Sequence, residues 1–190
     1  MAGMLSLLIK RLTVGLFLGA AAGVLPMLFA QEAKAQTARA DLPISATAKN
    51  NCLVTTKTAI AFGNYDPIVA NATTAAKANG QITVKCLPNA QVEIALGAGA
   101  NGDGTTCLSR EMNGPDDDAK LPYKLYTDAA FTTEWGCGVN AIDHTPTNAR
   151  PVPFTVYGEI PAGNDPLIEA VLDTLTPGAY NDTVVVTVTF

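Results

Sequence analysis

Charge is scarce in this chain. Only 15% of its 190 residues are Asp, Glu, Lys or Arg, and 12 cations face 17 anions for a formal net charge of -5. Phosphate binding needs clustered cations that displace counterions, and no basic run extends beyond Lys10-Arg11, so a nucleic-acid partner is not expected. Histidine is scarcer still: His144 stands alone beside Asp143 in a stretch rich in Thr, Pro and Asn. With no Ser or Cys nucleophile near it, it makes no catalytic dyad and reads as a solvated loop residue. The four cysteines Cys52, Cys86, Cys107 and Cys137 lack zinc-knuckle spacing and none adjoins His144, which argues against a metal. Asn101-Gly102-Asp103-Gly104 and Asp116-Asp117-Asp118 lack the alternating oxygen donors and distant Glu of a calcium loop. No nucleophile, base and oxyanion donors come together in the sequence, so neither an enzyme nor a cofactor is expected. Helical periodicity is also wanting, since no run of ten or more residues after Gln36 repeats its apolar positions at 3.6.

The amino end has a different character. Lys10 and Arg11 precede the apolar run Leu12 to Ala30, and Ala33-Lys34-Ala35 follows. This is the order of a secretory signal peptide: a charged head, an apolar stretch and a small-residue cleavage site. A membrane anchor is the rival reading, because 19 apolar residues can just span a bilayer. Gly15, Gly19, Gly23 and Pro26 weaken the run as a permanent helix, so residues 1-35 are expected to be removed, with no lasting membrane span. The remaining 155 residues carry about -7. In an oxidising compartment an even number of cysteines favours two disulfides, and four cysteines allow three connectivities.

The rest alternates with period two. Val184, Val186, Val188 and Phe190 share one face of the closing segment, with Thr183, Val185, Thr187 and Thr189 on the other. Further strands are expected at Gln81 to Leu87, Gln91 to Leu96, Tyr123 to Thr127 and Pro153 to Ile160, separated by turn formers such as Asn79-Gly80 and Pro177-Gly178. Ala70 to Ala78 reads as a loop, and Asp165 to Leu175 as a brief helical turn bracketed by Pro166 and Pro177. Many short strands point to an antiparallel sandwich or barrel.

Two edges stand out. Ala38, Ala40, Leu42, Ile44, Ala46 and Ala48 alternate strictly with polar residues or proline, as in a strand with one apolar edge. The Val-rich closing strand is flat and bare, an aggregation liability unless something pairs with it. The amino-terminal strand could close its own domain or pair elsewhere.

Seven stretches, in order, resemble the spore coat protein U domain family, which includes subunits of archaic (Csu-type) chaperone-usher pili. They are Cys52-Leu53-Val54 with Ile60-Ala61-Phe62-Gly63-Asn64-Tyr65-Asp66-Pro67; Gly80 to Cys86; Arg110-Glu111-Met112; Leu121 to Asp128; Trp135-Gly136; Tyr157 to Gly163; and Pro177 to Phe190.

The resemblance implies an all-β fold: an incomplete immunoglobulin-like β-sandwich lacking its last strand and completed by a donor strand. Residues 36-50 would be the donor extension and 51-190 the sandwich domain. Alternate side chains Ala38, Ala40, Leu42, Ile44 and Ala46 would plug a groove lined partly by Val184, Val186, Val188 and Phe190. The implied partners are a periplasmic chaperone, an outer-membrane usher and other pilus subunits joined head to tail. Localisation would be export through the periplasm to a cell-surface pilus, serving adhesion and biofilm formation, or to an extracellular coat. A spore or cell-surface coat protein using the same domain without an usher is the alternative. The family's disulfide corresponds to Cys52 with Cys86, leaving Cys107 and Cys137 for each other.

Overall fold

The computed structural model describes residues 42–102 and 107–190. The expected signal peptide, and the positions Ala38 and Ala40, lie outside the described residues. The chain divides into Met1–Ser45 and Ala46–Phe190, and the second unit carries the fold.

Among the described residues, eight strands form two antiparallel sheets: β1 (Cys52–Thr58), β2 (Ala76–Cys86), β3 (Val92–Leu96), β4 (Arg110–Asn113), β5 (Lys120–Tyr126), β6 (Ile142–His144), β7 (Val152–Ile160) and β8 (Val186–Thr189). The larger sheet has the order β1-β2-β7-β5-β4 and the smaller β6-β3-β8. The all-β expectation, with an immunoglobulin-like two-sheet sandwich, therefore holds. The only α-helix among the described residues, α1 (Pro166–Glu169), is capped by the Asp165 carboxylate, which accepts from the Leu167 N–H at 2.9 Å. A 3-10 turn at Leu172–Thr174 follows it, so Asp165 to Leu175 is the brief helical stretch expected.

Alternation explains the core. Ile82, Val84 and Cys86 of β2, Val156 and Ile160 of β7, and Leu121, Tyr123 and Leu125 of β5 point inward against Val92, Ile94 and Leu96 of β3. Trp135, fully buried, donates its indole N–H to the Ile94 carbonyl at 2.9 Å. Arg110 is the buried charge: its guanidinium donates to the carbonyls of Gly97 (2.9 Å), Leu96 (3.0 Å) and Trp135 (2.8 Å), tying β4 to β3 across the two sheets. Burial pulls its pKa below the ordinary arginine value, opposed by Tyr123, Glu134 and Asp182.

Three expectations are corrected. Ala70 to Ala78 is not all loop, because β2 begins at Ala76. Its inner face there is built from small residues, so that the segment after β1 can lie over the sheet: a Cβ at Gly80 would stand 2.6 Å from Ile60 Cγ1, and one at Gly158 2.8 Å from Phe62 Cζ. His144 is not a solvated loop residue. It lies in β6 opposite Val92, its ring edge-on to Phe154 at 5.2 Å, with Nε2 buried and lacking a hydrogen-bond partner. The closing strand is shorter than its alternation, since pairing covers only Val186–Thr189.

The sandwich has two distinct ends. At the base, β1 begins and β2 ends with Cys52 opposite Cys86, β7 begins at Val152, and Thr189 pairs with Glu93 near the start of β3. At the crown, β2 begins opposite the end of β7 (Ala76 to Ile160), and the segments 59–75 and 161–175 cover the end.

An open groove between the two sheets

The small sheet ends at β8, which pairs with β3 on one side and, among the described residues, has no strand on the other. The large sheet ends at β1 in the same way. Between these edges lies a cleft of about 350 Å³. Its rims are Thr56 and Thr58 on one side and Val184 and Val186 on the other, and core side chains including Ile82, Leu96 and Val156 form its floor. Val184, Val186 and Val188 are half-buried while their neighbours Thr183, Val185, Thr187 and Thr189 are exposed, so the period-two reading gives the correct faces. Phe190 departs from it, with 54% of its surface exposed.

The crown end of the cleft is fixed by polar contacts. Asn113 and Asn181 exchange backbone hydrogen bonds at 3.0 and 2.9 Å. The Asp182 carboxylate accepts from the Tyr123 hydroxyl (2.6 Å), the Ala100 N–H (2.9 Å) and the Asn101 side-chain amide (3.0 Å). Burial, then the hydrogen bond to Asp182, pushes the Tyr123 phenol well above its ordinary value, so it stays a proton donor. This staple was not legible in the sequence.

The other residues singled out are placed as follows. Leu42 and Ile44 are 82% and 88% exposed, and residues 42–50, Ala46 among them, form no strand. Thus the alternating amino-terminal segment has no ladder partner among the described residues. Cys52 is bonded to Cys86 and Cys107 to Cys137. The first bond joins directly opposed residues of β1 and β2. The second ties the segment before β4 to the turn after Trp135. Among the described residues no group of three or more His, Cys, Asp or Glu could hold a metal, and no helix is long and apolar enough to cross a membrane.

This geometry suits an extended peptide. A strand laid along β8 would satisfy its free backbone groups, and every second side chain would enter the cleft. The arrangement offers such a peptide shape and hydrogen bonds.

Comparison with known proteins agrees with this architecture. The chain is 31% identical over 166 residues to "Protein U" of Myxococcus xanthus, covering 83% of this chain and 88% of that protein. Its fold resembles a structure described as the CsuC-CsuE chaperone-tip adhesion subunit pre-assembly complex from archaic chaperone-usher Csu pili of Acinetobacter baumannii. That likeness has a TM-score of 0.50 at 18% identity, over 76% of this chain and 40% of that one. The sequence profile described as the Spore Coat Protein U domain matches residues 38–187, and with it the chain belongs to the Spore Coat Protein U domain family.

Proposed function

We propose that this protein is an exported structural subunit that polymerises by donor-strand exchange into a chaperone-usher fibre for surface adhesion and biofilm formation. The observation that carries the reading is the cleft beside β8 in a chain that also has an exposed, unpaired, alternating segment at Leu42, Ile44 and Ala46. Residues 1-35 direct export, and the extension 36-50 supplies plugs to the groove of the next copy. A periplasmic chaperone shields the groove until an outer-membrane usher passes the subunit on. Leu42 and Ile44 dominate the exchange, since burying such a side chain is worth about 1.5–3 kcal/mol, whereas Ala38, Ala40 and Ala46 offer far less area. One extension entering another copy's groove is a head-to-tail contact that does not close, which yields a filament. No catalytic step is part of this role.

Strand direction favours exchange over self-capping. Every pair in both sheets is antiparallel, and β8 runs from crown to base. A strand continuing that pattern runs from base to crown and leaves its carboxy end one strand length, roughly 20 Å, from Cys52 at the base. The six residue steps from Ala46 to Cys52 span about 20–22 Å only when fully extended. Folding back as an antiparallel strand therefore demands a taut linker with no slack, whereas exchange between copies does not.

A coat protein that uses the domain without an usher is the second reading, favoured by the 31% identity to Protein U across most of its length. Size-exclusion with light scattering on oxidised protein from residue 36 onward tests the first reading. The parent should form heat-stable multimers and a Leu42→Asp, Ile44→Asp variant should not; compact monomers of equal stability from both would refute exchange.

A further inference from the structure

We infer that the crown of one copy docks on the base of the next, so that the fibre is held by a second, apolar and charged contact besides the donor strand. The inference rests on the donor-strand reading above. In an antiparallel insertion the donor strand leaves the acceptor's groove at the acceptor's crown. Its chain then enters β1 at its own base, at Cys52. Five residues lie between the last plug, Ala46, and Cys52, so the strand exit on one copy and Cys52 of the next stand within about 22 Å.

The facing ends are matched. At the crown, Ile68 and Val69 are 65% and 76% exposed on a loop that is held firmly. The Asp66 carboxylate accepts from both their N–H groups at 3.0 Å, and Gly163 donates its N–H to the Asn71 carbonyl at 2.8 Å. That loop lies against the segment leading to α1, since a Cβ at Gly163 would meet the Pro67 carbonyl. Leu167 of α1 is a further exposed apolar side chain. Branched aliphatics fixed in water by a hydrogen-bonded loop are costly unless something covers them.

Charge supplies the second match. Segments 59–75 and 161–175 contain Asp66, Asp165, Glu169 and Asp173 and no Lys or Arg. At the base, the large-sheet side presents exposed Lys85, opposite exposed Leu53, and exposed Arg150. Among the described residues none of these groups is in an ion pair, whereas Lys77 is paired with Glu159 and Lys124 with Glu134. The acidic pair Glu93 and Asp143 sits at the base on the other sheet, which restricts the favourable contact to the Lys85 side. An acidic crown with apolar tips thus meets the side of the base that carries Lys85, Arg150 and Leu53, a pairing that fixes register and rotation between copies.

Zero-length carbodiimide cross-linking of the assembled multimer, read by peptide mass spectrometry, tests this contact. The expected products join Lys85 or Lys49 of one copy to Glu169 or Asp173 of another. Glu169→Lys should lower the yield of those links and weaken resistance to dissociation about threefold, the scale of one partly exposed ion pair. The swap Glu169→Lys with Lys85→Glu should restore resistance. Multimers that form but give no crown-to-base links, give base-to-base links, or show no rescue by the swap overturn the docking while leaving donor-strand exchange standing. Failure to form multimers at all refutes the exchange reading and the docking with it.

Discussion

The two flanks of the sandwich are built to opposite standards. On the closed flank, β2 and β7 pair over nine consecutive residues, from Ala76 opposite Ile160 to Val84 opposite Val152. Both strands have neighbours on each side. On the open flank, β8 is held through four residue pairs to β3 alone, above a cleft that exposes core side chains. The difference separates what the two sheets complete from what they leave open. The closed flank is paired throughout, while the open flank, among the described residues, has hydrophobic and hydrogen-bonding groups that no strand of its own sheets covers.

The largest contrast should come from truncating one side chain on each flank. Trp135→Ala removes a fully buried indole and its bond to Ile94, and should cost about 3–5 kcal/mol in urea unfolding. Val186→Ala on the open rim should cost only about 1 kcal/mol in the isolated subunit and noticeably more once a peptide spanning residues 36-50 is bound. Equal costs before and after binding would break the comparison. At the hinge between the flanks, Asp182→Ala leaves the Tyr123 hydroxyl without its acceptor and should cost about 1–3 kcal/mol. Faster hydrogen exchange at Ala100 would localise that loss to the crown end of the cleft. The smallest effect concerns pH. At the crown, away from the cleft, Tyr65 donates to the Pro161 carbonyl at 2.6 Å, and burial, aided by Asp165, pushes its phenol up to about 12. A raised folded pKa means its stabilising contribution is intact below the unfolded value of about 10 and declines as pH rises towards 12. Tyr65→Phe should flatten part of that decline, whereas Leu42→Asp should leave it unchanged.

Much of the fold was legible because alternation reports burial directly. The Val184, Val186 and Val188 face was readable for that reason, as were the core parts of β2, β3, β5 and β7. β1 was not: Cys52–Thr58 is an edge strand exposed along most of both faces, so its composition carries no period. β4 and β6, of four and three residues, are too short to show one. The start of β2 was hidden for another reason, since Ala76, Ala78 and Gly80 are small to admit Ile60 and Phe62 over the sheet. Arg110 could not be assigned to the core from a lone charge, because its compensation comes from three backbone carbonyls remote in sequence. The cleft itself was suggested by a resemblance and by the bare closing strand. Its crown-end staple depends on Asp182 meeting Tyr123 and Ala100, contacts that only the folded chain creates.

The position of the Cys52–Cys86 bond has a mechanical consequence. A chain drawn by its amino end delivers tension at Cys52, and without the bond that load would rest on the ladder of β1 with β2 alone. Because Cys52 is covalently joined to Cys86, part of the force passes into the end of β2. There it is carried along the nine-residue ladder with β7, where rupture requires shearing many hydrogen bonds together. The edge strand is thereby partly relieved of the pull, and two interior strands of the sheet share it.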